Sequence, residues 1–217
     1  MPRTRAISPA QKDARRTAIL TAAAQLFQNA PYDQILMQQI ADQANLAKGT
    51  LFLYFESKEH LFLALTVEAL HQWLADLNAD LRTVTPPLMT LAFTRLVERS
   101  LRRQPLLLPL LTLHPQRLAE SMSAATQQDL QKALNPSLTT CAALTEHLLP
   151  YLQPGQGRLI LQRILALIIG LPGSAALTPA DDSPSDVFAE LAAVLNLQLY
   201  ALETLHRRKS ATATTAN

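Results

Sequence analysis

Apolar residues recur at three- and four-residue spacing along almost the whole chain, and strand-like alternation is absent. The pattern predicts an all-α protein. Its first helix carries Ile19, Leu20, Ala22, Ala23, Leu26 and Phe27 as apolar positions. A short helix with Met37, Ile40, Ala41 and Ala44 follows, and Asn45, a residue that tolerates the left-handed conformation, marks a tight turn. A second short helix, about 47–53, turns Leu51 inward and leaves Lys48, Gly49 and Thr50 at its open first turn. Ser57 is a good N-cap for a longer helix to about Leu81, with Phe62, Leu65, Ala69, Trp73 and Leu77 along one stripe.

Beyond that point helices are punctuated by proline. Pro86-Pro87 opens one over about 87–103, and Pro105 begins a short one ending near His114-Pro115. The region 116–149 contains Pro136, which breaks a helix, kinks it or sits in its first turn. Helices over about 156–171 and 185–207 follow, separated by a loop at 172–185. Residues 208–217 are expected to form a disordered tail.

The last two helices carry more apolar surface than one buried face requires. A helix apolar all round is buried all round, which points to a second subunit and a homodimer. Ile164, Ile168, Leu191, Leu195, Leu199 and Leu202 are the residues assigned to that interface. Between the two ends, Trp73, Met89, Phe93, Leu110, His114, Met122 and Tyr151 are candidates to line a pocket for a small, largely apolar effector. Arg95 and Arg99, one helical turn apart, could face a carboxylate there. The plain alternative is that these side chains are ordinary core.

Two short helices across a tight turn form the helix-turn-helix pattern, whose second helix enters the major groove by its N-terminal end. Lys58 stands in a first helical turn, where the macrodipole disfavours a cation, and is expected to hold an outside phosphate together with that helix end. The stretch also resembles the N-terminal domain of TetR-family transcriptional regulators. The resemblance is carried by Met37, Ile40, Ala41, Ala44, Asn45 and Leu46, then Gly49, Thr50, Leu51, Phe52, Tyr54, Phe55, Ser57, Lys58, Glu59 and Leu61. It covers about residues 12–72 and is most specific at its end. Asn45 replaces the usual turn glycine. Leu36, Ala47 and Phe52 replace residues whose hydroxyls commonly serve as caps or phosphate contacts, so moderate affinity is expected.

The charges make residues 1–11 a basic, flexible leader, and the resemblance implies a three-helix helix-turn-helix DNA-binding domain (12–72) and a larger helical effector-binding and dimerisation domain (73–207). It also implies that the last two long helices form an intersubunit four-helix bundle. Gln38, Ala47, Lys48, Gly49, Thr50, Phe52, Tyr54 and Lys58 are the candidate DNA contacts, with Lys48, Thr50 and Gln38 on base edges and Tyr54 and Lys58 on phosphates. The function so implied is a regulator, most simply a repressor, on a palindromic operator.

Composition narrows the picture. Net charge is only +2, yet residues 1–60 hold seven Lys/Arg against five acids, and five of those seven lie before residue 17. Cys141 is the only cysteine, so no internal disulfide forms, and the five histidines form no pair spaced for metal ligation on one helix. No metal, cofactor, secretory signal or membrane span is expected, and the reading is cytoplasmic. The competing reading is an all-helical enzyme or lipid-binding protein whose N-terminal hairpin is merely structural. It suffers from the lack of a nucleophile-base set and of a phosphate-binding glycine loop.

Overall fold

A computed structural model describes residues 8–113, 124–174 and 186–215. All regular structure among them is helical, as the periodicity predicts: α1 (Pro9–Asn29), a 3-10 turn (Tyr32–Gln34), α2 (Met37–Gln43), α3 (Lys48–Phe52), α4 (Lys58–Arg82), α5 (Thr90–Arg102), α6 (Leu107–Thr112), α7 (Ala124–Leu148), α8 (Gln156–Ser174) and α9 (Val187–Thr215). The described residues form two compact units, one built from residues up to Glu68, the other from Ala69–Thr112 together with α7, α8 and α9. The chain of α4 therefore contributes to both.

In the first unit, α1 begins at Pro9, inside the segment expected to be a leader. Ser8 Oγ accepts from the amide of Gln11 (3.3 Å), and the Gln11 side chain accepts from the amide of Ser8 (3.1 Å). This reciprocal cap, with proline at the first helical position, fixes the start. Ile19, Ala23, Ile40, Ala41, Leu51, Leu61 and Phe62 are buried together as the core. Phe62 meets Phe27 and Tyr32 edge-on at ring separations of 5.4 and 4.8 Å, a favoured aromatic geometry.

In the second unit, Trp73, Leu74, Leu77 and Leu81 of α4 pack with Phe93 and Val97 of α5, Cys141 of α7, Ile160, Ile164 and Ile168 of α8, and Leu191, Leu195 and Leu199 of α9. The indole of Trp73 donates to Ser100 Oγ (3.0 Å), which satisfies its only polar atom in the core. Burial pushes the Cys141 thiol up to about 12.

Pro136 neither ends nor begins a helix: α7 passes through it, and Thr140 Oγ1 bonds back to the Pro136 carbonyl (3.1 Å). One lost amide bond is offset by the packing of Leu138, Cys141 and Ala142 on the core. At the other end, the expected tail is helical as far as Thr215, because α9 continues. Ser210 and Thr212 do not interrupt it, since their hydroxyls bond back to the carbonyls of His206 and Arg208 (3.1 and 3.2 Å).

The residues assigned to a subunit interface are mostly interior. Ile164, Ile168, Leu191, Leu195 and Leu199 are fully buried within the single chain and Leu202 is half-buried, so they hold the second unit together. The opposite sides of the same helices are the bare ones.

Candidate nucleic-acid interface

The turn between α2 and α3 is set by backbone hydrogen bonds. Asn45 adopts φ 55°, its amide donates to the Asp42 carbonyl (3.0 Å), and the amide of Leu46 reaches back to Ala41 (2.9 Å). These two bonds with a left-handed residue between them are the Schellman ending, here with asparagine in place of glycine. Leu36 offers α2 no side-chain cap, but its own amide is held by Gln39 Oε1 (2.8 Å). Ala47 likewise leaves α3 without a side-chain cap.

With Leu51 buried, α3 presents its remaining residues outward. Ala47, Lys48 and Gly49 are exposed, Thr50 and Tyr54 half-buried, and Phe52 is 41% exposed. The Lys48 ammonium stands 6.0 Å from the centroid of the Phe52 ring, at the edge of cation–π range. A Cβ placed on Gly49 would meet nothing within 4 Å, so the absence of a side chain there is not required by the fold. Gln38 is exposed on α2, where it donates to Asp42 (2.7 Å). The structure thus carries Lys48, Gly49, Thr50 and Phe52 on α3, Ala47 and Tyr54 beside its two ends, and Gln38 on α2.

Lys58 stands apart from the phosphate role expected of it. Its ammonium donates to the carbonyls of Tyr32 (2.8 Å) and Ile35 (3.0 Å) and lies 4.0 Å from the centroid of the Tyr32 ring. The lysine therefore caps the C-terminal end of the 3-10 turn, which explains a cation at the start of α4 without an outside anion. Glu59 completes the clamp by accepting from Tyr32 Oη (3.0 Å). Its carboxyl is held below the usual range, first by its own backbone amide and further by Tyr32 and Ser57. Lys58→Met should cost about 2 kcal/mol of stability, the scale of charge-assisted hydrogen bonds lost from half-buried carbonyls. Lys48→Ala should instead leave the melting temperature alone and relax the sequence preference at one operator position. Circular-dichroism melts, and salt titrations on duplexes changed at single positions, separate the two. A Lys58→Met protein that melts normally but loses salt dependence would restore the phosphate role.

The expected pocket is not assembled by the described residues. Trp73, Phe93 and Leu110 are fully buried core, while His114 and Met122 lie outside the described residues. Met89 instead borders an open groove of about 510 Å³ along α5, shared with Leu91, Ala92, Arg95, Glu98, Arg99 and Arg102. Tyr151 borders a different depression of about 160 Å³, and its hydroxyl shares a hydrogen bond of 2.8 Å with Thr90. Of the seven candidates, Trp73, Phe93 and Leu110 serve as packing. Glu146 caps α8 by accepting from the amides of Gly155 (2.9 Å) and Gly157 (2.8 Å).

Family models match both parts of the chain. Residues 19–65 match the model of bacterial regulatory proteins of the tetR family, and residues 67–194 match that of a tetracyclin repressor-like C-terminal domain. The chain belongs to the TetR family. Among its relatives, the transcriptional regulator RutR of Escherichia coli K12 is 39% identical over 77 residues, 36% of this chain and 34% of RutR. The transcriptional repressor KstR of Rhodococcus jostii RHA1 is 32% identical over 111 residues, 48% of this chain and 49% of KstR. The match thus spans a third to a half of these curated relatives. The fold is shared over longer stretches. The TetR-family repressor AlkX from Dietzia sp. has a TM-score of 0.56 at 19% identity over 91% of this chain and 96% of its own. FadR from Bacillus subtilis, solved with stearoyl-CoA, gives 0.55 at 21% identity over 84% and 96%. Among the described residues, no helix is long and apolar enough to cross a membrane, and no group of three His, Cys, Asp or Glu side chains is placed to hold a metal.

Proposed function

We propose that this TetR-family protein is a sequence-specific regulator of transcription, a repressor that grips a palindromic operator as a homodimer and is released by a small effector. The carrying observation is the display of Lys48, Gly49 and Thr50 on the second helix of a well-formed helix-turn-helix. Lys48 and Thr50 supply base-edge contacts, and Gly49 permits the backbone to approach the groove. Retention of the whole protein on duplex DNA should fall steeply with salt. Gly49→Ala sharpens the test, since the free protein has room for the methyl group. Stability should rise by up to about 1 kcal/mol from helix propensity while DNA affinity falls. An equally tight Gly49→Ala complex would remove α3 from the groove.

The groove along α5 favours an amphipathic effector with an acidic head. Met89 and Leu91 are exposed apolar side chains, whereas Arg95 and Arg99 meet no carboxylate among the described residues, unlike Arg102, which pairs with Glu98 and Asp186. Stearoyl-CoA, bound to the B. subtilis FadR, also joins an apolar chain to an anionic head. A ligand binding the DNA-competent and released states equally would shift nothing, so the effector prefers the released state. An amphipathic carboxylate should raise the melting temperature and release DNA, and Arg95→Ala with Arg99→Ala should abolish both effects. Hits confined to sugars, or stabilisation without DNA release, would overturn this assignment.

A further inference from the structure

The outermost surface of α3 is hydrocarbon and bare backbone. Leu51 faces the core, and at 100° per residue Gly49 and Leu53 lie about 160° away from it, one turn apart on the outward side. Leu53 is 82% exposed and Phe52 41%, while the core of this unit lies on the other side of the helix. Beside Leu53, the Gly49 surface is open backbone, with nothing within 4 Å of a built Cβ. Lys48 and Thr50 flank this line rather than lie on it.

Such a face has one apolar partner in the major groove. Each A·T pair presents the C5-methyl group of thymine there, and the other base-edge features are hydrogen-bonding groups. Leucine exposed to this degree gains nothing from the fold, yet it gains contact energy when a methyl group displaces its water. On this basis, which rests on the DNA-binding reading above, we propose that the Gly49–Leu53 face reads thymine methyl groups in each half-site. Leu53 packs on the methyl group, and Gly49 lets the helix backbone settle close enough for it to do so.

The test uses the whole protein and duplexes that it selects from a random-sequence library. In a selected half-site, each thymine is replaced singly by deoxyuridine, which removes the C5-methyl group and nothing else. Affinity should fall about fourfold at one or two positions, the worth of one buried methyl group. Leu53→Ala should bind the thymine and deoxyuridine duplexes alike at those positions, and Leu53→Met, which keeps an apolar reach, should retain the difference. Methyl-blind binding by the unsubstituted protein, or a difference that survives Leu53→Ala, overturns the proposal. A protein that selects no duplex overturns the DNA-binding reading itself, a separate and recognisable result.

Discussion

Gly157→Ala should strongly destabilise the helical body, although alanine is the better helix former. Gly157 is buried in the first turn of α8 where that helix crosses α7. A Cβ there would stand 2.3 Å from the Ala142 carbonyl oxygen and 3.0 Å from its carbon. Both are backbone atoms inside a helix, so no side-chain rotation relieves the overlap. Either α7 and α8 part along their packed length, or the first turn of α8 unwinds and loses the Glu146 cap on the Gly157 amide. Overpacking of this kind costs about 3 kcal/mol, against a propensity gain of about 1 kcal/mol. Gly170→Ala is the control: a Cβ there meets nothing within 4 Å in the chain. Denaturant titration of both variants should show the first much less stable and the second unchanged or improved. Equal stability would mean that α7 and α8 do not cross so closely.

The same contrast shows what could be read from the chain. The helix-turn-helix was legible because it is local. Alternating buried and displayed positions around Leu51, and a residue suited to φ 55° at Asn45, are enough to place it. Lys58 was not. Its partners are main-chain carbonyls of Tyr32 and Ile35, and carbonyls carry no sequence signature. Its anomaly, a cation at a helix start, was visible, but whether backbone or an outside anion resolves it depends on tertiary placement. Glu146 was missed for the same reason, since its acceptor role depends on where Gly155 and Gly157 fall in space.

Periodicity is also silent about which of two apolar faces points inward. The stripes of α8 and α9 correctly announced surplus hydrophobicity, but a helical wheel carries no label for the core. Leu191, Leu195 and Leu199 fall to the inside because α5 packs on that side of α9, a long-range contact. Trp73 and Phe93 show a related limit. Bulk and spacing identify apolar surroundings, and a void inside them depends on how tightly the neighbours close. Leu53 could have been found: the wheel that buries Leu51 places it outward, though only its exposure shows how bare it stands.

The second large effect follows from the surface those helices leave bare. On α9, Leu197 lies nearly opposite the buried Leu195 face and is 71% exposed, with Tyr200 at 65% beside it. On α8, Leu159 and Ile169 are exposed on the side away from Ile164 and Ile168. We infer that these outer faces, rather than the residues first assigned, meet a second copy of the chain. Leu197→Arg then separates folding from association. In an isolated chain the side chain reaches water, and surface changes of this kind stay within about 0.5 kcal/mol. Across a subunit contact, the same guanidinium would be buried without a partner, at a cost of several kcal/mol. The variant should keep its helicity and melt, sediment as a monomer at micromolar concentration, and lose operator affinity because only one half-site can be held. Leu199→Arg, one wheel position from the core centre, should fail earlier by destabilising the chain itself. A Leu197→Arg protein that remains dimeric would place the contact on another surface, and an unsubstituted protein that sediments as a monomer would remove the two-half-site mechanism altogether.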